Sequence, residues 1–153
     1  MTTQQAKSRF GEPNETGIGY LERIVLPYPM RIAWDTDTTV SSMMCHKLVK
    51  SNFIGAFNDI LAAYGADKIK SLGIDLFGGC FNYRKKRNGA AMSMHSWGIA
   101  IDLDPARNTL RESSATARFA RPEYKKMIDA FYANGFISLG KELNYDWMHF
   151  EIK

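Results

Sequence analysis

Ser93-Met94-His95-Ser96-Trp97-Gly98-Ile99-Ala100-Ile101-Asp102-Leu103 is the stretch on which the fold turns. From Gly98 onward it alternates: Ile99, Ile101 and Leu103 fall on one side of an extended chain, Ala100 and Asp102 on the other. The alternation predicts a strand over 98–103 that anchors one face in a core and turns Asp102 into a cleft. Gly98 and this two-residue period argue against a helix carrying His95 and Asp102 on one face. His95 therefore stands just before the strand and Asp102 well along it. A second informative stretch, Asp146-Trp147-Met148-His149-Phe150-Glu151, lies almost at the C-terminus.

Around these stretches the chain divides into short elements. Residues Met1 to Gly19 are polar and contain Gly and Pro, which predicts an extended or flexible arm over about residues 1–20. Arg23–Leu26 and Met30–Trp34 read as short extended segments, and Pro27 and Pro29 between them predict edge positions. Asp35 to Ser42 supplies turn and cap residues. A long helix is then predicted over Ser42–Tyr64, with Leu48, Phe53, Phe57, Ile60, Leu61 and Tyr64 along its apolar face and Gly65 to stop it. His46 lies in its first turns and reads as structural. Short extended pieces follow at Ile74–Phe77 and Cys80–Arg84. Pro105 to Ala120 is a long polar loop of the kind that often carries function. Pro122 opens a helix with a buried stripe of Tyr124, Met127, Ile128 and Phe131, which Asn134-Gly135 ends. Phe136–Gly140 and Asp146–Ile152 read as extended.

The 153 residues suit a single domain, and 45% hydrophobic with 12% aromatic residues is ample for a packed core. No stretch approaches the roughly 20 apolar residues that span a bilayer. The polar N-terminus lacks the apolar region of an export signal, so the expectation is synthesis in the cytoplasm and no membrane insertion. Net charge is +4, compatible with anionic partners such as cell-wall polymers. The basic run Arg84-Lys85-Lys86-Arg87 ends eight residues before His95, so it reads as the edge of an active site in preference to a nucleic-acid patch. Cys45 and Cys80 are too few for a disulfide scaffold and read as buried small hydrophobes.

His95, Asp102 and His149 make a sufficient protein ligand set for a catalytic zinc, two imidazoles and a carboxylate with a fourth position left for water. Asp146, three residues before His149, is placed in the turn ahead of the last strand. From there it could take a proton from metal-activated water and pass it to a leaving amine. A developing oxyanion also needs a fixed cation; Arg84 is the first candidate and Arg87 the second. Ser93, Arg87 and Trp147 are candidate substrate contacts. A buried polar cluster without metal is the plainer reading of these residues, and a non-haem iron site another. The completeness of the set argues against the first, and the seven-residue His95–Asp102 spacing against the second.

At these residues the chain resembles the zinc D-Ala-D-Ala carboxypeptidase and L-alanyl-D-glutamate endopeptidase family of peptidoglycan hydrolases. The likeness rests on Ser93, His95, Gly98, Ala100 and Asp102, followed by Asp146 and His149, and covers about residues 40 to 151. It implies an α+β fold of the hedgehog/D-Ala-D-Ala peptidase-like kind, a small antiparallel sheet carrying the ligands with helices packed on one side. It implies Zn²⁺ on His95, Asp102 and His149, Asp146 as general base, and an arginine of the Tyr83-Arg84 segment on the scissile carbonyl. Many members carry Glu at the base position. Asp146 looks more like the phage-type endopeptidase branch, which implies cleavage of the L-Ala-D-Glu bond by a monomeric endolysin-like enzyme acting on peptidoglycan after release to the wall. The alternatives are a D-Ala-D-Ala carboxypeptidase and a non-catalytic metal-binding wall or structural module.

Overall fold

The computed structural model describes residues 1–86 and 89–153. One sheet of six strands runs through it: β1 (Leu21–Ile32), β2 (Asp35–His46), β3 (Leu76–Gly79), β4 (Ala100–Leu103), β5 (Phe136–Ser138) and β6 (His149–Ile152). Their order in space is β2-β1-β3-β4-β6-β5. The β1–β3 pair is parallel and the other pairs are antiparallel. Five α-helices among the described residues accompany the sheet: α1 (Thr3–Phe10), α2 (Lys50–Tyr64), α3 (Ala66–Leu72), α4 (Lys125–Ala133) and α5 (Leu139–Leu143). The architecture is α+β, as the resemblance implies. No helix among the described residues is long and apolar enough to cross a membrane.

The strand decided by the opening stretch is β4, and it lies between β3 and β6. Ile101 and Leu103 are fully buried while Asp102 is partly open, so the alternation has the predicted effect. Asp102 sits directly opposite His149 of β6. Aromatic packing fixes that partner strand. Phe150, the residue after His149, stacks on Phe131 of α4 with ring centroids 4.1 Å apart. Phe131 in turn meets Phe57 of α2 and Phe136 of β5. Burying each ring contributes roughly 1.5–3 kcal/mol, so the strand carrying His149 is held by some of the strongest packing in the molecule.

Gly98 is required where it stands. Its φ of +67 lies in the left-handed region, and a Cβ there would meet the His46 amide nitrogen at 3.1 Å and Leu21 Cδ2 at 2.7 Å. It ends the short 3₁₀ turn Met94–Trp97 that holds His95, and its carbonyl receives the His46 N–H.

Several expectations need correction. Residues 3–10 form a helix instead of an extended arm. Thr2 and Gln5 make a reciprocal capping box, and Ala6 and Phe10 are buried against the body. Arg23–Leu26 and Met30–Trp34 belong mainly to one continuous strand, β1, which lies inside the sheet. The prolines are tolerated because the β1–β2 ladder breaks between Val25 and Met30, while β1 pairs with β3 only at Arg31 and Ile32. Asp35–Ser42 is not a turn, and the helix starts at Lys50 instead of Ser42. Met43 and Cys45 are buried and Met44 is exposed, a two-residue period extending the strand formed by the β-branched run Thr38-Thr39-Val40. Cys80–Arg84 is irregular, and Leu139–Leu143 is a short helix capped by Ser138 in place of an extended segment.

Candidate metal centre

His95 reaches the site from the 3₁₀ turn Met94–Trp97, whose first turn is capped by Ser93: its Oγ accepts the His95 N–H at 3.4 Å. Asp102 comes from β4 and His149 from β6. One atom of each converges. His95 Nε2 lies 3.1 Å from His149 Nδ1 and 3.2 Å from Asp102 Oδ1, and His149 Nδ1 lies 2.9 Å from the same Oδ1. Zinc bonds of about 2.0–2.1 Å in tetrahedral geometry set neighbouring ligand atoms about 3.3 Å apart. The triangle is slightly tighter than that and fits the ion's size.

The outer contacts decide which ring atoms face inward. His95 Nδ1 lies 2.8 Å from the Cys80 carbonyl, which can only accept, so Nδ1 carries the hydrogen and Nε2 is a lone pair. His149 Nε2 lies 3.1 Å from Glu151 Oε2, again an acceptor, which assigns its hydrogen to Nε2 and leaves a lone pair on Nδ1. With the Asp102 carboxylate, three acceptors then point at one another. Such a triangle calls for a cation, a proton or a metal ion. The same conflict shows in the acidities. Burial works against charge on His149, but its hydrogen bonds with Asp102 and Glu151 outweigh burial and push its pKa up to about 10. Burial would raise the Asp102 carboxyl, yet the two histidines hold it far below the ordinary carboxylate range. His95, Asp102 and His149 therefore fit a zinc ion by donor type, spacing and tautomer.

These residues line a cleft of about 870 Å³ that also includes Arg84, Ser93 and Asp146. Asp146 stands in the turn before β6, as expected, with an uncommon backbone: φ is +55, a region that Asp tolerates better than most residues. Two hydrogen bonds hold it there. Its N–H donates to the Leu110 carbonyl at 3.0 Å, and its own carbonyl accepts the His149 N–H at 3.0 Å. Burial raises its carboxyl above the ordinary value, opposed by the nearby His149. A half-buried carboxylate held on a strained backbone beside a metal-type site suits proton transfer.

Of the basic run, Arg84 and Lys86 line the cleft, while Arg87 lies outside the described residues. Trp147 does not line this cleft. It is buried against Gly140 and borders a separate, smaller cavity with Phe119 and Lys141. His46 is structural, as read: its Nδ1 accepts the Leu48 N–H at 3.2 Å, and its ring packs between Phe10 and Tyr20. Both cysteines are free and buried.

Two contacts of the candidate site escape a reading of the sequence. Glu151 carries the signal of a carboxylate two residues from His149, the same-face spacing of a strand. It is 3% exposed, and its second oxygen accepts the Met1 ammonium at 2.7 Å. The Leu110 carbonyl leaves no side-chain signal at all.

A His–Asp–His triangle with two ligands on the sheet, one on a 3₁₀ turn and a further carboxylate at hand is a metallopeptidase type of site. Residues 86–152 match the family model described as D-alanyl-D-alanine carboxypeptidase, which supports the zinc D-Ala-D-Ala carboxypeptidase-like family for the segment that carries the site. No curated protein and no solved structure matches the chain. At family level, the match and the metal-type site together support a zinc peptidase acting on peptidoglycan.

Proposed function

We propose that the protein cleaves the L-Ala-D-Glu bond of the peptidoglycan stem peptide as a zinc-dependent, phage-type endolysin. The observation that carries the reading is the triangle of three inward-facing acceptors in one cleft with Asp146. His95 Nε2, Asp102 Oδ1 and His149 Nδ1 would hold the zinc, which when bound supplies Lewis acidity and lowers the pKa of water. Asp146 accepts the proton of the attacking water and returns it to the departing amine. Arg84 lines the same cleft and offsets the charge developing on the scissile carbonyl oxygen. Ser93 acts through its cap, which fixes the turn bearing His95.

The preference for an endopeptidase rests on Asp, in place of Glu, at position 146. The description of the matched family favours a second reading, removal of a C-terminal D-Ala. The enzyme would work in the wall after release from the cytoplasm, as a monomer. Digestion of purified peptidoglycan by the zinc-loaded protein, with mass spectrometry of the new termini, tests both. New N-terminal D-Glu supports the endopeptidase, and free D-Ala supports the carboxypeptidase. No new terminus with zinc bound would leave a non-catalytic metal-binding module.

A further inference from the structure

The loop from Pro105 to Ala120 is a built wall of the cleft. Asn108, fully buried, donates to the Asp104 carbonyl at 3.0 Å and accepts the Phe119 N–H at 2.7 Å, tying both ends of the loop together. Arg107 pairs with the buried Asp104 at 2.8 Å. On the far side, the Leu110 carbonyl holds the backbone of Asp146. The next residue in the chain, Arg111, lines the same cleft. It is exposed and makes no salt bridge among the described residues.

The charges of the cleft are unevenly answered. Glu151 is answered by the Met1 ammonium, and the triangle that contains Asp102 calls for a cation of its own, a proton or a metal ion. Arg84, Lys86 and Arg111 line the same cleft with only Asp146 left against them. The cleft thus presents surplus positive charge, which suits an anionic ligand. Its place in the chain, one residue from the carbonyl that holds Asp146, points to the part of the ligand that Arg111 meets. A base that returns a proton to the departing amine has the residue owning that amine next to it. In a stem peptide, D-Glu is joined onward through its γ-carboxyl, so a free α-carboxylate sits on the carbon that bears the departing amine. A C-terminal D-Ala offers the same arrangement. A guanidinium matches a carboxylate with two parallel N–H···O bonds.

We propose that Arg111 is the receptor for the free carboxylate of the leaving residue, and that it makes the enzyme select substrates in which this group is free over those in which it is amidated. The inference rests on the peptidase reading above and adds to it a specificity-determining residue. Two pairs of soluble peptides test it: a stem peptide with D-Glu against the same peptide with D-isoglutamine, and a D-Ala-D-Ala peptide against its C-terminal amide. The pair that is cleaved identifies which carboxylate is read. For the zinc-loaded protein, kcat/KM for the free acid should exceed that for the amide by about tenfold to a hundredfold, the scale of a hydrogen bond to a charged group. Arg111→Ala should bring the ratio close to one, chiefly by raising KM for the acid, and Arg111→Lys should restore part of it. A merely structural role would lower both rates and leave the ratio unchanged. An unchanged ratio in Arg111→Ala overturns the inference and leaves the peptidase reading intact. If the zinc-loaded parent cleaves neither pair, the peptidase reading itself fails, and the inference with it.

Discussion

Replacing Glu151 by Gln is a searching perturbation because it keeps size and removes one property. The side chain is 3% exposed and divides its two oxygens between His149 Nε2, at 3.1 Å, and the Met1 ammonium, at 2.7 Å. Both neighbours are donors, and a carboxylate can accept from both. An amide has one acceptor and one donor, so Gln must disappoint one side whichever way it turns. If its NH₂ faces His149, the ring is driven towards the tautomer with a hydrogen on Nδ1, the atom that belongs to the metal triangle. If its oxygen faces His149, the NH₂ confronts the ammonium and the segment before α1 is repelled. In either case the imidazole loses the negative partner that raises its basicity as a ligand. Loss of such an outer partner typically weakens metal affinity about 10- to 100-fold, or roughly 1.4–2.7 kcal/mol. Competition against a chromophoric zinc chelator at neutral pH measures the dissociation constant directly, and circular dichroism checks that the fold survives. A dissociation constant within twofold of the parent's would refute the assignment of Glu151 as the group that orients His149.

Four further outcomes follow from the same geometry. Asp146→Asn should keep zinc and the fold, since Asn is at ease at positive φ, yet lose about 10²-fold or more in kcat on peptidoglycan; turnover at the parent rate would remove Asp146 from the mechanism. His95→Ala should lose tightly bound zinc by elemental analysis, and full occupancy would sink the ligand set. His149, with its pKa pushed up to about 10, carries a proton through the neutral range that a metal must displace, so calorimetry in buffers of different ionisation enthalpy should find about one proton released per zinc. The sign follows: apparent zinc affinity should strengthen about tenfold per pH unit between about pH 6 and 8, and a flat profile would contradict the protonated state. Asn108→Ala orphans the buried Phe119 N–H and removes one of the two donors to the Asp104 carbonyl, which keeps the Arg107 N–H, at a cost of roughly 1–3 kcal/mol, which should lower Tm by roughly 2–12 °C; a Tm within about 1 °C of the parent's would show that the loop wall is held otherwise.

The candidate metal ligands are legible in the sequence because their chemistry is carried by residue type and the placement of Asp102 by a two-residue period that burial enforces. Asp102 is assignable to a cleft from the alternation alone, since Ile101 and Leu103 commit the opposite face to the core. The β1–β2 hairpin is harder to read. Prolines inside a strand and a Thr/Ser-rich partner send local signals of turn and cap, and tertiary pairing overrides them. Helix α1 hides for the opposite reason: eight mostly polar residues form a weak pattern, and two buried side chains with a capping box stabilise it. Trp147 shows the limit of proximity in sequence. It stands between Asp146 and His149, yet its ring is committed to Gly140 and a different cavity, because Asp146 has a left-handed backbone and Trp147 and Met148 form a turn, where no strand alternation orders the side chains.

What no side-chain pattern can reveal is a function delivered by backbone. The Cys80 carbonyl sets the tautomer of His95, and the Leu110 carbonyl holds Asp146 in a conformation that a free chain seldom visits. Both lie in irregular segments, where residue identity constrains position least. The ligands can therefore be read from the sequence, but the machinery that aims them cannot. Substitutions in the 105–120 loop far from any candidate ligand should accordingly disturb catalysis through Asp146 before they disturb zinc, because Leu110 holds the backbone of the proposed base and Asp102, His95 and His149 are held by other elements.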